Sequence, residues 1–465
     1  MKINNICCIG AGYVGGPTMA VIALKCPGIN VTVVDLNATR IAAWNGPIDQ
    51  LPIYETGLAE VVQEARGRNL FFSTDIDKAI DEAQMIFMAV NTPTKTEGEG
   101  AGMAADLRYF ISSAEHIAKV AKDDKIVVEK STLPVRTAEK VKEILNKNRK
   151  NAQFEILSNP EFLAEGTAIQ DLFKSDRVLI GGDQTPSGKA AVQALVDIYA
   201  HWIPQEKILT TNVWSSELAK LASNAMLAQR ISSVNSLSAL CEKTGADIDE
   251  LGKAMGMDHR IGPHFLNASV GFGGSCFQKD ILNLVYLCQH YGLNEVAEYW
   301  HQVVKINDYQ KQRFAQKIID SFGGNLKEKT IGILGWAFKA NTNDSRESAA
   351  IYVADHLLTA GAVITVYDPM VSSENITKDL MTLWQSRGLS VEVQQKKIAK
   401  LSVASSLSDT VKSVDVVAIL TEWEEFKGYD WNQTNMYVFD GRRILSKNKI
   451  KVENLNALGA SNDCV

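Results

Sequence analysis

Three glycines near the amino terminus, Gly10, Gly12 and Gly15, constrain the fold of this chain more than any other feature. They follow the short apolar run NICCI and precede a predicted helix, so they form a G-x-G-x-x-G turn between a strand and a helix. In such a turn the first glycine makes the bend, the second lets the backbone approach a pyrophosphate, and the third packs the helix on the strand. The pattern predicts a dinucleotide-binding unit. A glycine-rich turn without a ligand is the alternative.

Asp35 extends this prediction to the kind of dinucleotide. It ends the next apolar run, Val31–Asp35, about 20 residues after the glycines, where a carboxylate can accept hydrogen bonds from ribose hydroxyls. The same carboxylate would repel a 2′-phosphate, so NAD is favoured over NADP. Arg40 is a weaker signal in the other direction, because arginine can accommodate that phosphate. A contact on the adenine side is the alternative role for Arg40.

Short apolar runs alternate with helical segments over the first 210 residues and again from about Leu326. Between them, Val213 to about Gly245 has helical spacing of apolar residues, no proline and no internal glycine. We therefore expect an α/β protein with two Rossmann-like, doubly wound domains joined by a long central helix. The expected boundaries are 1–212 for an NAD-binding domain, 213–325 for a helical dimerisation domain and 326–465 for a second Rossmann-like domain.

Composition excludes several classes of protein. The chain has 465 residues and a net charge of −6, which argues against a nucleic-acid-binding protein or a membrane-surface protein. No stretch approaches the roughly 20 apolar residues that span a bilayer. Its seven cysteines are odd in number and contain no C-x-x-C pair, so we expect neither a disulfide framework nor a metal site. These features favour a cytoplasmic location.

Cys276 is the main catalytic candidate. It lies in GFGGSCFQKD, after a glycine-rich loop and at the predicted start of a helix, where the helix dipole favours the thiolate. Asp280 is four residues later and therefore on the same helical face. The flanking glycines suggest the close approach of a ligand. A small buried side chain without chemistry is the alternative for Cys276.

Two further pairs of polar residues are candidates for acid–base chemistry. Glu161 and Glu165 follow a predicted strand, where ligands collect in open α/β sheets. Lys220 and Asn224 are four residues apart on the long helix, and such a pair could stabilise an alkoxide or position water. Solvated glutamates at a helix start, and a lysine whose head group reaches water, are the respective alternatives.

Several motifs occur in an order that resembles a known family: GAGYVGGPT, VNTPT, EKSTLPVRT, SNPEFLAEGTAI, SSELAKLASNA, FLNASVGFGGSCFQKD and GWAFKANTNDSRES. Together they resemble the UDP-glucose 6-dehydrogenases of the UDP-glucose/GDP-mannose dehydrogenase family, most closely the animal type. The resemblance extends from Lys2 to about Arg443. It implies that the domain at 326–465 binds the UDP-sugar. It also implies a homo-oligomer, either a dimer or a hexamer built as a trimer of dimers. In the family the residue at the position of Arg260 reaches the site of a neighbouring subunit.

The resemblance also implies roles for individual residues. The catalytic set is Cys276, Lys220, Asp280, Glu161, Asn224 and Thr132. The residues that bind the cofactor NAD are Gly10, Ala11, Gly12, Tyr13, Val14, Gly15, Asp35, Arg40, Val90, Asn91, Thr92, Pro93, Thr94, Ser131, Thr132, Glu165, Cys276, Lys279 and Arg346. The residues that bind the UDP-sugar are Glu161, Phe162, Leu163, Ala164, Glu165, Lys220, Asn224, Arg260, Asn267, Phe272, Gly273, Phe277, Phe338, Lys339 and Arg442. Related chains can carry lysine at the position of Asn267, so one charged contact is expected to be missing.

The implied reaction is the oxidation of UDP-glucose at C6 to UDP-glucuronate, which removes four electrons and reduces two NAD per turnover. Cys276 would hold the substrate as a thiohemiacetal and then as a thioester, which water hydrolyses. Oxidation of a GDP-mannose or a UDP-N-acetyl sugar is an alternative within the family. A two-electron dehydrogenase of the hydroxyacid type and a non-catalytic NAD-binding scaffold are the alternatives outside it.

Overall fold

The structure is a computed structural model that describes residues 2–148, 152–431, 436–448, 450, 452 and 454–460. The chain forms two compact units, Met1–Ser223 and Asn224–Val465. Helix α9, Val213–Thr244, begins in the first unit and ends in the second. The expected division into three domains stays a prediction.

The first unit is built on one sheet. Its strands are β1 Asn5–Ile9, β2 Asn30–Val34, β3 Leu70–Ser73, β4 Met85–Met88, β5 Lys125–Glu129, β6 Phe154–Ser158, β7 Val178–Gly182 and β8 Ile208–Thr211. They lie in the order β3-β2-β1-β4-β5-β6-β7-β8. Successive strands with crossing helices on both faces are what the alternation of apolar runs predicted. The carboxyl ends of β1, β4, β5 and β6 lead directly into the predicted site segments.

Helices cover this sheet on two faces. They are α1 Gly15–Lys25, α2 Ala38–Asn45, α3 Leu58–Ala65, α4 Ile76–Glu82, α5 Arg108–Val120, α6 Thr137–Asn148, α7 Ala168–Phe173 and α8 Pro186–Tyr199, with 3₁₀ turns at Ile48–Gln50 and Gln205–Lys207. Side chains of β1 alternate between two buried clusters, with Ile6 and Cys8 in one and Cys7 and Ile9 in the other. Both faces are therefore packed, as a doubly wound sheet requires.

The second unit repeats the α/β pattern after three helices. The helices are α10 Ile248–Gly256, α11 Phe277–His290, α12 Asn294–Ser321, α13 Ala349–Thr359, α14 Ser373–Ser386, α15 Val391–Ile398, α16 Leu407–Lys412, α17 Glu424–Gly428 and α18 Ile444–Lys447. The strands are β9 Thr330–Leu334, β10 Val363–Tyr367, β11 Leu401–Val403, β12 Val416–Ile419, β13 Tyr437–Asp440 and β14 Asn454–Ala457. These strands form a sheet in the order β11-β10-β9-β12-β13-β14. Within the described ranges, no helix has both the length and the apolar character of a membrane-spanning segment.

The predicted fold class is confirmed, with one correction to the expectation of a parallel sheet. Strands β6 and β7 pair antiparallel, through Leu157 with Gly182 and Ser158 with Gly181. The connection between them contains only the six-residue helix α7, which is about 9 Å long. A strand of five residues such as β6 spans about 16 Å. The short helix therefore does not carry the chain back to the edge where β6 began.

Candidate active site

The Gly10–Gly15 turn has the geometry of a nucleotide cradle. Gly10 has a φ of 112°, and a Cβ there would meet the Ala89 carbonyl oxygen at 2.4 Å. A Cβ on Gly15 would lie 2.0 Å from the Gly10 carbonyl oxygen, whereas a Cβ on Gly12 would meet nothing within 4 Å. The first and third glycines are thus required by the chain's own packing. The space beside Gly12, next to a start of α1 without a side-chain cap, fits a pyrophosphate.

Asp35 lies beside this turn and already has three partners. Its carboxylate accepts hydrogen bonds from the backbone N–H groups of Ala11 at 3.0 Å and Asn37 at 2.9 Å. The Arg40 guanidinium donates to it at 3.2 Å. Two carboxylate oxygens provide about four acceptor positions, so Asp35 retains capacity for a ribose hydroxyl. Arg40 is paired with Asp35 and is not held in place for a 2′-phosphate. Tyr13, also in the turn, donates through its hydroxyl to the Tyr54 carbonyl oxygen at 2.9 Å.

The loops after β4 and β5 interlock at the same edge of the sheet. The Ser131 hydroxyl donates to the Val90 carbonyl oxygen at 2.6 Å, and the Thr92 hydroxyl donates to the Thr132 carbonyl oxygen at 3.0 Å. The remaining predicted members of the first loop are Asn91 and Pro93, which are exposed, and Thr94, which forms an isolated bridge with Ala105. The two predicted cofactor segments therefore support one another directly.

Glu161, Lys220 and Thr132 form a buried polar cluster in the first unit. The Lys220 Nζ is 3.5 Å from Glu161 Oε1, and the two side chains are 5% and 9% exposed. The Thr132 hydroxyl donates to the same Oε1 at 3.3 Å. Glu161 Oε2 is buried and receives no hydrogen bond from the protein. The alternative of a solvated glutamate and a water-seeking lysine is therefore excluded for this pair.

The rest of the Glu161–Glu165 segment lies along this cluster. The Phe162 ring has the Arg177 guanidinium 3.8 Å and the Lys220 Nζ 5.4 Å from its centroid. Leu163 and Ala164 are half-buried or exposed, as is Glu165. Just beyond Glu165, the Glu55 carboxylate accepts the Gly166 N–H at 2.7 Å and the Ala168 N–H at 3.1 Å. Glu55 thereby anchors the segment at its carboxyl end.

Sequence reasoning missed two buried ionisable groups next to this cluster. Lys130 is 4% exposed, and its Nζ donates to Asn159 Oδ1 at 3.0 Å. Glu129, its neighbour in the chain, is 1% exposed, and neither of its carboxyl oxygens has a hydrogen-bond partner among the described residues. Burial raises the pKa of Glu129 well above its ordinary range, and repulsion by Glu217 raises it further. The sequence did contain a signal for these two groups, because two charged residues stand together at the end of an otherwise apolar strand.

In the second unit, Cys276 lies at the boundary between the glycine-rich loop and helix α11. It is the residue before α11 and is exposed. The Asp280 N–H donates to the Cys276 carbonyl oxygen at 2.8 Å, which completes the first turn. Asp280 itself is 1% exposed. Its carboxylate accepts from Asn224 Nδ2 at 2.6 Å and lies 3.4 Å from the Lys279 Nζ.

The glycines before Cys276 are required by the packing of the chain itself. A Cβ on Gly273 would meet the Glu347 carbonyl oxygen at 2.5 Å, and one on Gly274 would meet the Phe338 ring at 3.1 Å. A Cβ on Gly271 would lie 2.9 Å from Asn307 Oδ1. These contacts explain the glycines without a ligand, and the predicted approach of a ligand to this loop stays a prediction.

Asn307 on α12 holds this loop in place. Its Oδ1 accepts the Phe272 N–H at 2.8 Å, and its Nδ2 donates to the Phe272 carbonyl oxygen at 3.0 Å. Asn307 is fully buried. The Phe272 ring in turn packs edge-to-face against Phe277, with centroids 5.8 Å apart. Sequence reasoning did not find Asn307, because a lone asparagine within a long helix carries no pattern.

Phe338, Lys339 and Arg442 lie together at the carboxyl ends of β9 and β13. The Arg442 guanidinium donates to the Phe338 carbonyl oxygen at 2.8 Å and to that of Leu420 at 2.7 Å. The Lys339 Nζ is 5.6 Å from the Phe338 ring centroid. Two cationic side chains at this edge can hold an anionic ligand such as a diphosphate. Arg346, predicted to contact the cofactor, forms a two-pronged ion pair with Asp344.

Two predicted substrate residues have partners outside the clusters described above. Asn267 accepts a hydrogen bond from the Lys447 Nζ at 2.8 Å, so a lysine does reach this position from another element, α18. Arg260 is exposed and pairs with Asp258 at 2.6 Å. The Lys447 Nζ also lies 3.5 Å from Asp249 Oδ1.

The described part of the chain contains no cluster of three or more His, Cys, Asp or Glu side chains that could hold a metal ion. All six cysteines in the described ranges are free thiols, and Cys464 lies outside those ranges. Burial raises the pKa of the Cys7 thiol to about 12. Of these six thiols only Cys276 is exposed, which singles it out as the accessible nucleophile.

Comparison with known families accounts for most of the chain. Residues 4–203 match the NAD binding domain of the UDP-glucose/GDP-mannose dehydrogenase family, residues 214–309 its central domain and residues 332–447 its UDP binding domain. The chain is 58% identical to UDP-glucose 6-dehydrogenase 5 of Oryza sativa subsp. japonica, over 96% of this chain and 95% of that protein. It is 57% identical to UDP-glucose 6-dehydrogenase 1 of Glycine max with the same coverage.

Solved structures agree with these matches. A UDP-glucose dehydrogenase from the hyperthermophilic archaeon Pyrobaculum islandicum superposes with a TM-score of 0.83 at 30% identity, covering 99% of this chain and 98% of that one. A UDP-D-ManNAc dehydrogenase from Pyrococcus horikoshii has a TM-score of 0.78 at 22% identity, over 98% of this chain and 99% of that one, and shares the fold.

Proposed function

The chain belongs to the UDP-glucose/GDP-mannose dehydrogenase family, and from this membership we propose that it oxidises UDP-glucose at C6 to UDP-glucuronate with NAD. Its relatives at 57–58% identity are named UDP-glucose 6-dehydrogenases. Oxidation of a primary alcohol to an acid removes four electrons, so each turnover reduces two NAD. Water supplies the second oxygen of the carboxylate.

One observation carries this proposal beyond the family: an exposed Cys276 at the start of α11, with the buried Asp280 carboxylate on the next turn. A two-electron alcohol dehydrogenase needs no nucleophile. A thiol within one helical turn of a carboxylate supplies what a second oxidation requires, namely a covalent bond to the aldehyde and a group that directs water to the product. This arrangement therefore favours the four-electron reaction.

The Gly10–Gly15 turn and Asp35 would hold NAD, with its pyrophosphate beside Gly12 and a ribose hydroxyl on the free acceptor positions of Asp35. When bound, NAD accepts a hydride from C6 in each of the two oxidations. The loops that contain Thr92 and Ser131 would close the cradle at the ends of β4 and β5. Arg40, a basic group that could favour NADP, is already paired with Asp35 at 3.2 Å.

Lys220 and Asp280 would act on the C6 hydroxyl in the first oxidation. Lys220 is buried beside Glu161, so its position is held before substrate binds and its N–H groups can stabilise an alkoxide. Asp280 accepts from Asn224 and is fully enclosed, so a proton or a water molecule that it holds is shielded from bulk solvent. Preorganised donors of this kind typically contribute about 10²–10³ in rate each.

Cys276 would then bond the aldehyde carbon through Sγ as a thiohemiacetal, which keeps a reactive aldehyde from escaping. The second oxidation converts this adduct to a thioester. Water directed by Asp280 attacks the thioester carbonyl, the C–S bond breaks, and the thiolate returns as the leaving group. Glu161, whose Oε2 has no donor among the described residues, would assist this hydrolysis.

The substrate assignment is tested by measuring NADH formation with a panel of nucleotide sugars. The proposal expects UDP-glucose to give kcat/KM at least about tenfold above GDP-mannose and UDP-N-acetyl sugars, with UDP-glucuronate as the product. A higher value with GDP-mannose or a UDP-N-acetyl sugar would identify a sibling activity of the family. NAD binding without turnover on any sugar would identify a scaffold.

We also propose that the enzyme is a homo-oligomer, a dimer or a trimer of dimers, and that it acts in the cytoplasm. Trp214, Met226 and Leu240 of α9 are 43%, 52% and 59% exposed, and apolar side chains along one long helix support an interface with a second copy. Free thiols at Cys7, Cys8, Cys26, Cys241, Cys276 and Cys288 suit a reducing compartment. The narrower resemblance to the animal type has no support from the relatives named above, which are plant proteins.

A further inference from the structure

Lys130 is a buried lysine without a carboxylate partner. It follows the last residue of β5, is 4% exposed, and its Nζ donates to Asn159 Oδ1 at 3.0 Å and to the Tyr199 hydroxyl at 3.3 Å. Both acceptors are neutral. Among the residues that the structure describes, no carboxylate lies within ion-pair distance of this ammonium. A buried cation in such surroundings is costly to solvate.

The protein does not need this lysine to satisfy its neighbours. The Tyr199 hydroxyl itself donates to Asn159 Oδ1 at 2.8 Å, and Asn159 Nδ2 donates to the Leu179 carbonyl oxygen at 2.8 Å. Without Lys130, both side chains keep these hydrogen bonds and no buried donor loses its acceptor. Burial lowers the pKa of Lys130 to about 8, so the charged form of this lysine is less favourable in the folded protein than in the unfolded chain. The reason to keep a lysine here is therefore not stability.

The location of Lys130 connects it to the candidate active site. Two residues beyond Lys130 is Thr132, and two residues beyond Asn159 is Glu161; these form their own hydrogen bond at 3.3 Å. The Lys130–Asn159 bond thus joins the ends of β5 and β6. The Thr132–Glu161 bond joins the same two chain segments two residues further on. The charged and titratable groups that act on Lys130 are Glu161 after β6, Lys220 on α9 and Cys8 on β1, with the Tyr199 phenol on α8.

We propose that Lys130 is a positioning residue for the oxidation. It holds the ends of β5 and β6 so that Thr132 and Glu161 meet Lys220, and it adds a second positive charge beside the single Glu161 carboxylate. The resulting net positive cluster favours the alkoxide and oxyanion that form on the substrate. This inference rests on the proposed function of the chain.

The test compares Lys130→Met with Lys125→Met. Both lysines are on the β5 segment, both are buried, and burial lowers the pKa of each. Lys125 lies at the opposite end of the strand, about 16 Å away, where its Nζ donates to the Asp81 carbonyl oxygen. We expect Lys130→Met to lower kcat for UDP-glucose at least about tenfold with KM changed less than about threefold, and Lys125→Met to retain kcat.

Thermal unfolding separates positioning from a structural role. Lys130→Met should unfold at a temperature equal to or above that of the wild type, because a desolvated cation is removed and no donor is orphaned. A structural lysine would instead lower the unfolding temperature and kcat together. Tyr199→Phe adds a second readout: it removes an acceptor from the ammonium, so the alkaline decline of kcat should move to lower pH while the rate below that decline is retained.

Three outcomes would overturn the inference. They are wild-type kcat in Lys130→Met, a loss of kcat accompanied by a large fall in unfolding temperature, and an alkaline decline that is identical in wild type, Lys130→Met and Tyr199→Phe. If the wild type forms UDP-glucuronate and Lys130→Met keeps wild-type kcat, the role of Lys130 is refuted and the proposed function stands. A wild type that reduces no NAD with UDP-glucose refutes the proposed function and, with it, the role that rests on it.

Discussion

Cys276 is exposed to solvent and lies at the start of a helix. Most free cysteines are buried and inert, and the described cysteines other than Cys276 follow that pattern here. The loop before Cys276 is held in place by the hydrogen bond from the Phe272 N–H to Asn307 and by the close packing around Gly273 and Gly274, and Cys276 stays exposed at its end. Cys276 is the residue before α11, and the amino terminus of a helix is a position that favours a thiolate.

Cys276→Ser should lose overall turnover on the order of 10³-fold or more, because serine is a far poorer nucleophile toward the aldehyde and an oxygen ester hydrolyses slowly. Steady-state NADH formation measures the loss, and mass spectrometry can detect a sugar adduct on the variant. Cys288→Ser is the matched control, since Cys288 is a buried thiol on the same helix. Full activity in Cys276→Ser would leave a two-electron dehydrogenase as the better account.

Asp35 should determine the choice of dinucleotide. Asp35→Ser removes the carboxylate that would repel a 2′-phosphate and releases Arg40, which it now binds at 3.2 Å. The ratio of kcat/KM for NAD to that for NADP should therefore fall at least about tenfold, the equivalent of about 1.4 kcal/mol. Asp49→Ser, at an exposed position in the 3₁₀ turn Ile48–Gln50, should leave the ratio unchanged. An unaltered ratio in Asp35→Ser would show that discrimination lies elsewhere.

At the scale of elements, the backbone N–H groups at the start of α6 are capped by a side chain from another helix. The Glu217 carboxylate on α9 accepts the backbone N–H groups of Arg136 and Ala138, each at 2.7 Å. Glu217 also repels the buried Glu129 carboxyl at the end of β5, which has no hydrogen-bond partner among the described residues. The Glu217 carboxylate thus acts on both α6 and β5, on either side of the Ser131–Thr132 loop.

This carboxyl pair predicts a particular pH dependence of stability. Burial, together with repulsion by Glu217, raises the pKa of Glu129 in the folded protein above its unfolded value, so the stabilisation is complete below the unfolded pKa of about 4.3. It declines as pH rises toward the folded pKa, because the unfolded chain has already released its proton. Glu129→Gln keeps an uncharged side chain of similar shape at every pH and should remove this decline.

Urea unfolding between pH 5 and 8 tests the prediction. The unfolding free energy of Glu129→Gln should exceed that of the wild type by about 1 kcal/mol or more at pH 8, with little difference at pH 5. Glu139→Gln provides the control, because Glu139 is exposed on α6 and pairs only with Arg136 in its hydrogen bonding. Parallel curves for wild type and Glu129→Gln would mean that the pKa of Glu129 is not raised in the folded protein.

At the scale of the whole molecule, the strands that sequence reasoning missed have one property in common. β3 and β8 are the edges of the first sheet, and β11 and β14 are the edges of the second. Each has only three or four residues, and β8 and β11 are largely exposed. Central strands buried on both faces read as continuous apolar runs, so they were predicted, whereas a short edge strand leaves no such run.

The same distinction applies to the candidate site. Residues that belong to a local pattern, such as the Gly10–Gly15 turn, the start of α11 at Cys276 and the long helix α9, could be placed from the sequence. Lys130, Glu217, Asn307 and Lys447 could not, since each acts through a partner 29 to 180 residues away. The antiparallel β6–β7 pair escaped because the length of α7, which is too short to return the chain along β6, could not be read from the sequence.

The central claim is that one active centre performs two oxidations on the same carbon, and the number of NADH formed per UDP-glucose consumed tests it most directly. Wild-type protein would be incubated with excess NAD and a limiting, known amount of UDP-glucose until absorbance stops rising, and the nucleotide-sugar product would be quantified by chromatography. The account predicts two NADH for each UDP-glucose and UDP-glucuronate as the product. One NADH per UDP-glucose, with an aldehyde or ketone product, would contradict it.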